Sequence, residues 1–201
     1  YFNHQVKKLE NHFPDSETGH YFLPIEIAAF ATDFIALNFI AETSLIFFKR
    51  SLIDKVGIYD KLFHQICDLE YNLRLASEIG IYVINKPLCC FAIHSNSTTN
   101  NNIHQKYFQL RFIEQAYFAY KLVNDLAFKT LQNQLTFSQK AKLRLYYKYR
   151  IHEAKRYISK QTDKDLYKKA TVNYPFFKQD VIDLVLLAPI FMVIDLLKSR
   201  N

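Results

Sequence analysis

The stretch Cys67-Asp68-Leu69-Glu70-Tyr71-Asn72-Leu73-Arg74-Leu75-Ala76 decides the fold. Leu69, Leu73 and Ala76 recur at i, i+4 and i+7, which places them on one buried stripe of a helix. Asp68 stands one residue before that stripe, in the first turn. There the helix dipole favours a carboxylate, which can point out of the helix mouth toward a ligand. Glu70 does not face Asp68, because residues two apart diverge on a helix; it is spaced instead to pair with Arg74 at i+4 as a surface carboxylate. Two carboxylates followed by Arg are either an active-site edge or an ordinary charged helix start, and the flanks must decide between them.

Upstream, Thr43–Lys49 reads as a strand buried on both faces. Ser51–Val56 reads as a short helix capped by Ser51 and closed by Gly57, after which Ile58-Tyr59-Asp60 turns the chain toward the opening stretch. Residues 20–42 are apolar and irregular, and Pro24 is expected to break any helix, leaving a loop or a short helical piece. Residues 2–12 carry Phe2, Val6 and Leu9 on one side of an amphipathic helix that ends near Pro14 and Gly19. Downstream, Gly80 closes the central helix. Ile81–Ile84 is a strand, Asn85-Lys86-Pro87 a turn, and Leu88–Ile93 a second strand. A polar loop from His94 runs to the three asparagines 100–102, which look like a boundary.

From His104 onward the periodicity is helical. Residues 105–128 space their aromatics for a helix. Residues 138–160 form another, with Ser138 as cap, a seam of Leu143, Tyr147, Ile151, Ala154 and Ile158, and Lys140, Arg144, Lys148 and Lys155 on the opposite face. Residues 162–170 read as a short polar helix. Residues 181–197 are strongly apolar but include Asp183, Pro189 and Asp195, so an interfacial or core helix is expected rather than a membrane span.

The 201 residues carry a net charge of +7, unevenly placed. Residues 1–103 hold 8 Lys/Arg and 11 Asp/Glu, whereas residues 104–201 hold 18 and 8. Such asymmetry suggests two jobs, the basic half seeking an anionic surface. Aromatics interleaved with Lys and Arg over 138–160 suit a bilayer interface or stacked bases; the apolar segment that follows favours the membrane over nucleic acid. The three cysteines, Cys67, Cys89 and Cys90, are odd in number and form no C-x-x-C, which fits small buried hydrophobes in a reducing compartment. His64, His104 and His152 have no partner at metal-ligand spacing.

Four features now stand in order: a strand leading to a short helix, Lys55-Val56-Gly57-Ile58-Tyr59-Asp60, Asp68 to Ala76, and Pro87-Leu88 followed by His94-Ser95-Asn96-Ser97. The ordered set over residues 1–103 resembles the C-terminal half of family 2 glycosyltransferases with the GT-A fold. In that family a Val-Gly-x-Phe-Asp step precedes a Glu-Asp pair and an Arg-Leu-Ala helix, then a Pro-Leu strand and a loop His. The resemblance implies an inverting transfer from a nucleotide-sugar to an acceptor hydroxyl, with Asp68 as general base. It also implies Asp60, Glu70 and Gly57 on the acceptor edge and His94 toward the diphosphate or its divalent metal, Mg or Mn. Cys67 stands where the family has Glu. No metal-binding D-x-D is expected in the chain, so the nucleotide-binding half is expected upstream of Tyr1.

The expectation is therefore an α/β fold: a partial GT-A domain over 1–103, Rossmann-like, followed by a basic helical region over 104–201. Its partners would be a nucleotide-sugar, a saccharide or lipid-linked acceptor, and an anionic membrane surface met by residues 138–197. It would lie on the cytoplasmic side of the plasma membrane and serve surface polysaccharide or glycolipid synthesis. Two rival readings share the sequence: a non-catalytic interaction domain on the same scaffold, and a basic helical protein that binds nucleic acid.

Overall fold

The computed structural model describes residues 19–35, 37–40, 43–84, 86, 88, 110–159 and 174. Within them the chain is mostly helical, with one two-stranded sheet. The order is β1 (His20–Phe22), α1 (Pro24–Asp33), a 3-10 turn (Thr43–Leu45), α2 (Ser51–Val56), α3 (Cys67–Ile79) and β2 (Ile81–Val83). Then come α4 (Leu110–Asn124), a 3-10 turn (Leu126–Phe128), α5 (Lys129–Gln134) and α6 (Phe137–Ser159).

The central helix forms where its stripe predicts, and Gly80 closes it at φ +75°. β2 follows directly and pairs antiparallel with β1, Tyr21 opposite Tyr82. β1 was not expected, and α1 takes the short-helix alternative for residues 20–42. Pro24 begins α1 rather than breaking it, because the first helical position needs no N–H and favours the φ that proline fixes. Glu26, three residues after Leu23, accepts the Leu23 N–H at 2.8 Å and secures that start.

The expected strand over Thr43–Lys49 is not formed. Its first three residues make a 3-10 turn, Phe47 is fully exposed, and Phe48 packs against Leu52, Tyr71 and Leu75. A buried strand needs ladder partners on its flanks, and among the described residues the only ladder is β1–β2. Two caps also move. Ser51 lies inside α2, whose preceding residue Arg50 supplies no side-chain cap. α6 begins at Phe137, capped by Thr136: the Thr136 N–H donates to Gln139 Oε1 at 2.9 Å, and the Gln139 N–H returns to Thr136 Oγ1.

One continuous core joins the two portions of the chain. α1 packs against α3, α5 and α6, and α4 lies along α6. Phe22, Ile27, Phe34, Leu69 and Leu73 share this core with Ile113, Phe118, Leu122, Leu143 and Ile151. The seam expected for α6 is confirmed at Leu143, Tyr147, Ile151 and Ala154, all buried. The helices after residue 104 are thus not separable from the residues before 103, so the division drawn at 103/104 is not a division of the core. The segments at 2–12, 89–93, 162–170 and 181–197 lie outside the described residues.

Gly57 and Gly80 both hold left-handed backbone, at φ +79° and +75°, but in different surroundings. A Cβ at Gly57 would meet nothing nearer than Arg74 Nη1 at 3.8 Å, whereas one at Gly80 would fall on the Phe22 carbonyl oxygen and the Tyr21 ring. Gly57→Ala is therefore expected to cost about 1–2 kcal/mol, the left-handed penalty alone. Gly80→Ala is expected to cost more, because the β1–α3 junction must also move. Urea denaturation of the two variants side by side checks the ranking, and equal midpoints would refute it.

Candidate functional site

The loop between α2 and α3, residues 57–66, delivers Asp68, and side chains from elsewhere fasten it at almost every turn. Arg74, one helical turn beyond Glu70, donates from Nη1 to the Val56 carbonyl and from Nη2 to the Ile58 carbonyl at 2.8 Å, bracketing Gly57. The same guanidinium pairs with Glu70, Nη2 to Oε2 at 3.0 Å. It also lies over the Tyr71 ring, on which Tyr59 stacks at 4.1 Å.

Asp60 closes its own turn by accepting the Leu62 N–H at 3.0 Å. Its other oxygen accepts from Lys121 Nζ at 2.6 Å and from the Tyr117 hydroxyl at 3.1 Å. Lys121 Nζ also reaches Glu70 Oε1 at 2.9 Å. The result is a chain of alternating charge, Asp60–Lys121–Glu70–Arg74, spanning the loop, α3 and α4, buried except at its half-buried Asp60 end. Glu70 is 0% exposed, so the expected surface carboxylate is an interior one. The i+4 pairing with Arg74 is present, with a third partner that the local spacing could not reveal.

Glu114, also 0% exposed, closes the loop's far end. Its carboxylate accepts the N–H groups of His64, Gln65 and Ile66 at 3.0, 2.8 and 3.2 Å, just where α3 begins. Tyr174 adds a hydroxyl bond to the Leu62 carbonyl at 2.6 Å. Glu114, Tyr117 and Lys121 sit at i, i+3 and i+7 on α4, a polar stripe turned inward onto the loop. Sequence reasoning missed all three residues. Their helical spacing is a local signal, but Arg111, Gln115 and Asn124 on the same helix dilute it, and it does not point to the loop as their partner.

Asp68 lies in the first turn of α3, half-buried. One oxygen accepts the Leu69 N–H at 2.8 Å, and the other accepts from the Asn38 side-chain amide at 3.0 Å. Burial, and then the Asp68 carboxylate, push the Cys67 thiol up, so it is neutral at neutral pH and adds no charge beside Asp68. The sequence-derived site is thus divided. Asp68 stands at a partly open helix mouth, Gly57 forms the bend that Arg74 holds, and Asp60 and Glu70 are engaged inside. His94 lies outside the described residues. Among the described residues no three His, Cys, Asp or Glu side chains gather as a metal site. One D-x-D occurs in the chain, Asp163-Lys164-Asp165, but it follows the His94 loop instead of preceding the Asp68 helix and also lies outside the described residues.

The charged chain sets its own pH limits. Burial raises the Asp60 carboxyl, but the Lys121 ammonium and the Leu62 N–H outweigh it and hold the group below its ordinary 3.8. Burial lowers Lys121, but Glu70 and Asp60 outweigh that and hold it above its ordinary 10.5. Asp60 therefore contributes stability above pH 3.8 that is lost as pH falls through its folded pKa. Lys121 contributes stability below pH 10.5 that is lost as pH rises through its own. Glu114 behaves oppositely to Asp60. Burial outweighs its three N–H donors and raises its pKa, so its contribution is greatest below 4.5 and declines as the carboxyl ionises.

Lys121→Met is expected to destabilise the protein by about 3–5 kcal/mol, because the buried Glu70 and the half-buried Asp60 lose their shared cation. Lys142→Met, at an exposed pair with Asp33, is expected to cost less than about 1 kcal/mol. Urea midpoints across pH check both values. The Lys121→Met deficit should be flat through neutral pH and shrink below 3.8 and above 10.5.

No family model, no curated protein and no solved structure matches the chain.

Proposed function

We propose that the chain forms the acceptor side of an inverting glycosyltransferase with a GT-A-type domain, similar to family 2, and that Asp68 is its general base. The observation that carries this reading is the setting of Asp68. Its carboxylate stands half-open in the first turn of a helix whose approach loop is fastened by Arg74, Lys121 and Glu114. A base must be held at one position relative to an acceptor hydroxyl, and a carboxylate on a braced helix start meets that need.

In this mechanism the Asp68 carboxylate takes the proton of an acceptor hydroxyl. The freed oxygen attacks the anomeric carbon of a nucleotide-sugar from the side opposite the diphosphate. The bond to the diphosphate breaks, and the sugar inverts. Asn38 orients the carboxylate through its amide. Asp60 and Glu70 act from inside, holding the loop and α3, and acceptor contact falls to Asp68 itself. A divalent metal would supply charge neutralisation on the departing diphosphate. The described residues do not furnish its ligands, so no step is drawn through it. Donor recognition is assigned to residues other than those described, and the acceptor is a saccharide or a lipid-linked saccharide of the cell surface.

One residue favours a non-catalytic role on the same scaffold: Cys67 replaces the Glu of the family pair and leaves Asp68 as the lone acid of the helix mouth. A single substitution separates the two readings. Asp68→Asn keeps the shape and one of the two accepting oxygens but removes the base. In the full-length protein it is expected to lower nucleoside diphosphate release from UDP- and GDP-hexoses, with acceptor saccharides present, by about a hundredfold to ten-thousandfold. The urea midpoint should change little. Release at the wild-type rate by Asp68→Asn, or no release by the wild type across the panel, would sink the enzymatic reading.

A further inference from the structure

We infer that the outward face of α6, together with the turn at its start, is a docking surface for an anionic lipid bilayer. α6 carries seven Lys/Arg (140, 142, 144, 148, 150, 155 and 156) and one acid, Glu153. Its inward seam is occupied by the core, which leaves Phe137, Ala141, Lys142, Arg144, Leu145 and Arg156 exposed on the other side of the helix. Glu153 lies off that face and is bound by Arg150 at 2.6 Å and by the Tyr149 hydroxyl. The helix itself adds no acid to this face over a length of about 30 Å at 1.5 Å per residue, and the acid that meets it from α1, Asp33, is neutralised by Lys142 at 2.6 Å.

Two large apolar side chains are exposed at one end of the α4–α6 hairpin. Phe137, at the first position of α6, is 86% exposed, and Leu126, in the turn that follows α4, is 81% exposed. Because α4 and α6 lie side by side and are joined through residues 125–136, these two residues belong to the same end of the helical hairpin. Leu145 continues the stripe two turns along and is also exposed. Apolar side chains at a tip, followed by a cationic face, match a bilayer surface, where acyl chains lie beneath anionic headgroups.

The tyrosines decide against nucleic acid as the occupant. In the sequence they interleave with Lys and Arg as a stacking platform would require. In the folded helix Tyr147 and Tyr149 are buried, and Tyr146 is engaged by Arg150 Nε at 2.8 Å. Among the exposed residues described on α6 only Phe137 offers a ring, His152 being half-buried.

The test is flotation of the full chain with vesicles of phosphatidylcholine plus phosphatidylglycerol, and with phosphatidylcholine alone. The wild type is expected to float with the anionic vesicles and to be released by high salt. Arg144→Glu and Phe137→Ser, both at exposed positions, are each expected to weaken binding about fivefold or more, while keeping the wild-type helical circular dichroism. Flotation of both variants equal to wild type would overturn the assignment, because another segment would then hold the membrane. No flotation of the wild type, equal flotation with phosphatidylcholine alone, or capture of single-stranded RNA without vesicle binding would each overturn it as well. The inference does not depend on glycosyl transfer, since the readout needs no sugar donor.

Discussion

The Lys121 ammonium, held between Asp60 and Glu70, is the interaction on which the rest of the structure depends. It comes from a helix some fifty to sixty residues beyond the carboxylates it joins, and it is buried beside Glu70, with Asp60 half-buried at its other side. A charged group inside a protein is tolerated only when its partners are complete, and a complete set adds less net stability than its distances suggest. Its effect is on choice among packings. With Lys121 in place, the loop, α3 and α4 have one mutual arrangement; any shift of α4 by a turn would strand Glu70 without its second cation. Arg74 extends the same constraint to Gly57 by gripping the carbonyls on either side of the bend.

The elements that could be read from the sequence are those whose signals are local. α3 and α6 announce themselves by buried residues at helical spacing, and Gly80 by its place after the last of them. Pro24 is ambiguous by nature, since the same residue ends one helix and starts the next. The run at Thr43–Lys49 has strand composition, yet a strand is a relation between segments and its partner is not in its own sequence. Glu70 shows how a local rule can give the right pair in the wrong environment. Leu69, Leu73 and Ala76 face one cluster, while Tyr71 and Leu75 face another on the opposite side, with Leu52 and Phe48. A helix apolar on both sides is enclosed, and the Glu70–Arg74 pair between the two stripes is enclosed with it. That arithmetic was available in the ten residues themselves.

The candidate site divides along the same line. Asp68 could be found from its position in the first turn, because a helix start is local. Its supports could not. Glu114 and Lys121 come from the basic half of the chain, where composition directs attention outward, to anionic partners. Each is an ionisable residue on an apolar helix whose partners lie about fifty residues earlier, and no spacing rule spans that distance.

The α4–α6 hairpin therefore has two faces with different roles. Its inner side, through Glu114, Tyr117 and Lys121, fixes the approach to Asp68. Its outer side, on α6, carries the cations and the exposed Phe137. Both belong to one packed unit, since α4 lies along α6 and both enter the core shared with α1 and α3. A surface that engages α6 from outside therefore meets a body rigidly joined to Asp68 and not a tethered tail. Docking would fix the height and tilt of the helix mouth, so an acceptor carried on a lipid would be met at a defined depth. In this fold, charge that looks from the sequence like a separate domain is part of the frame that positions the acid.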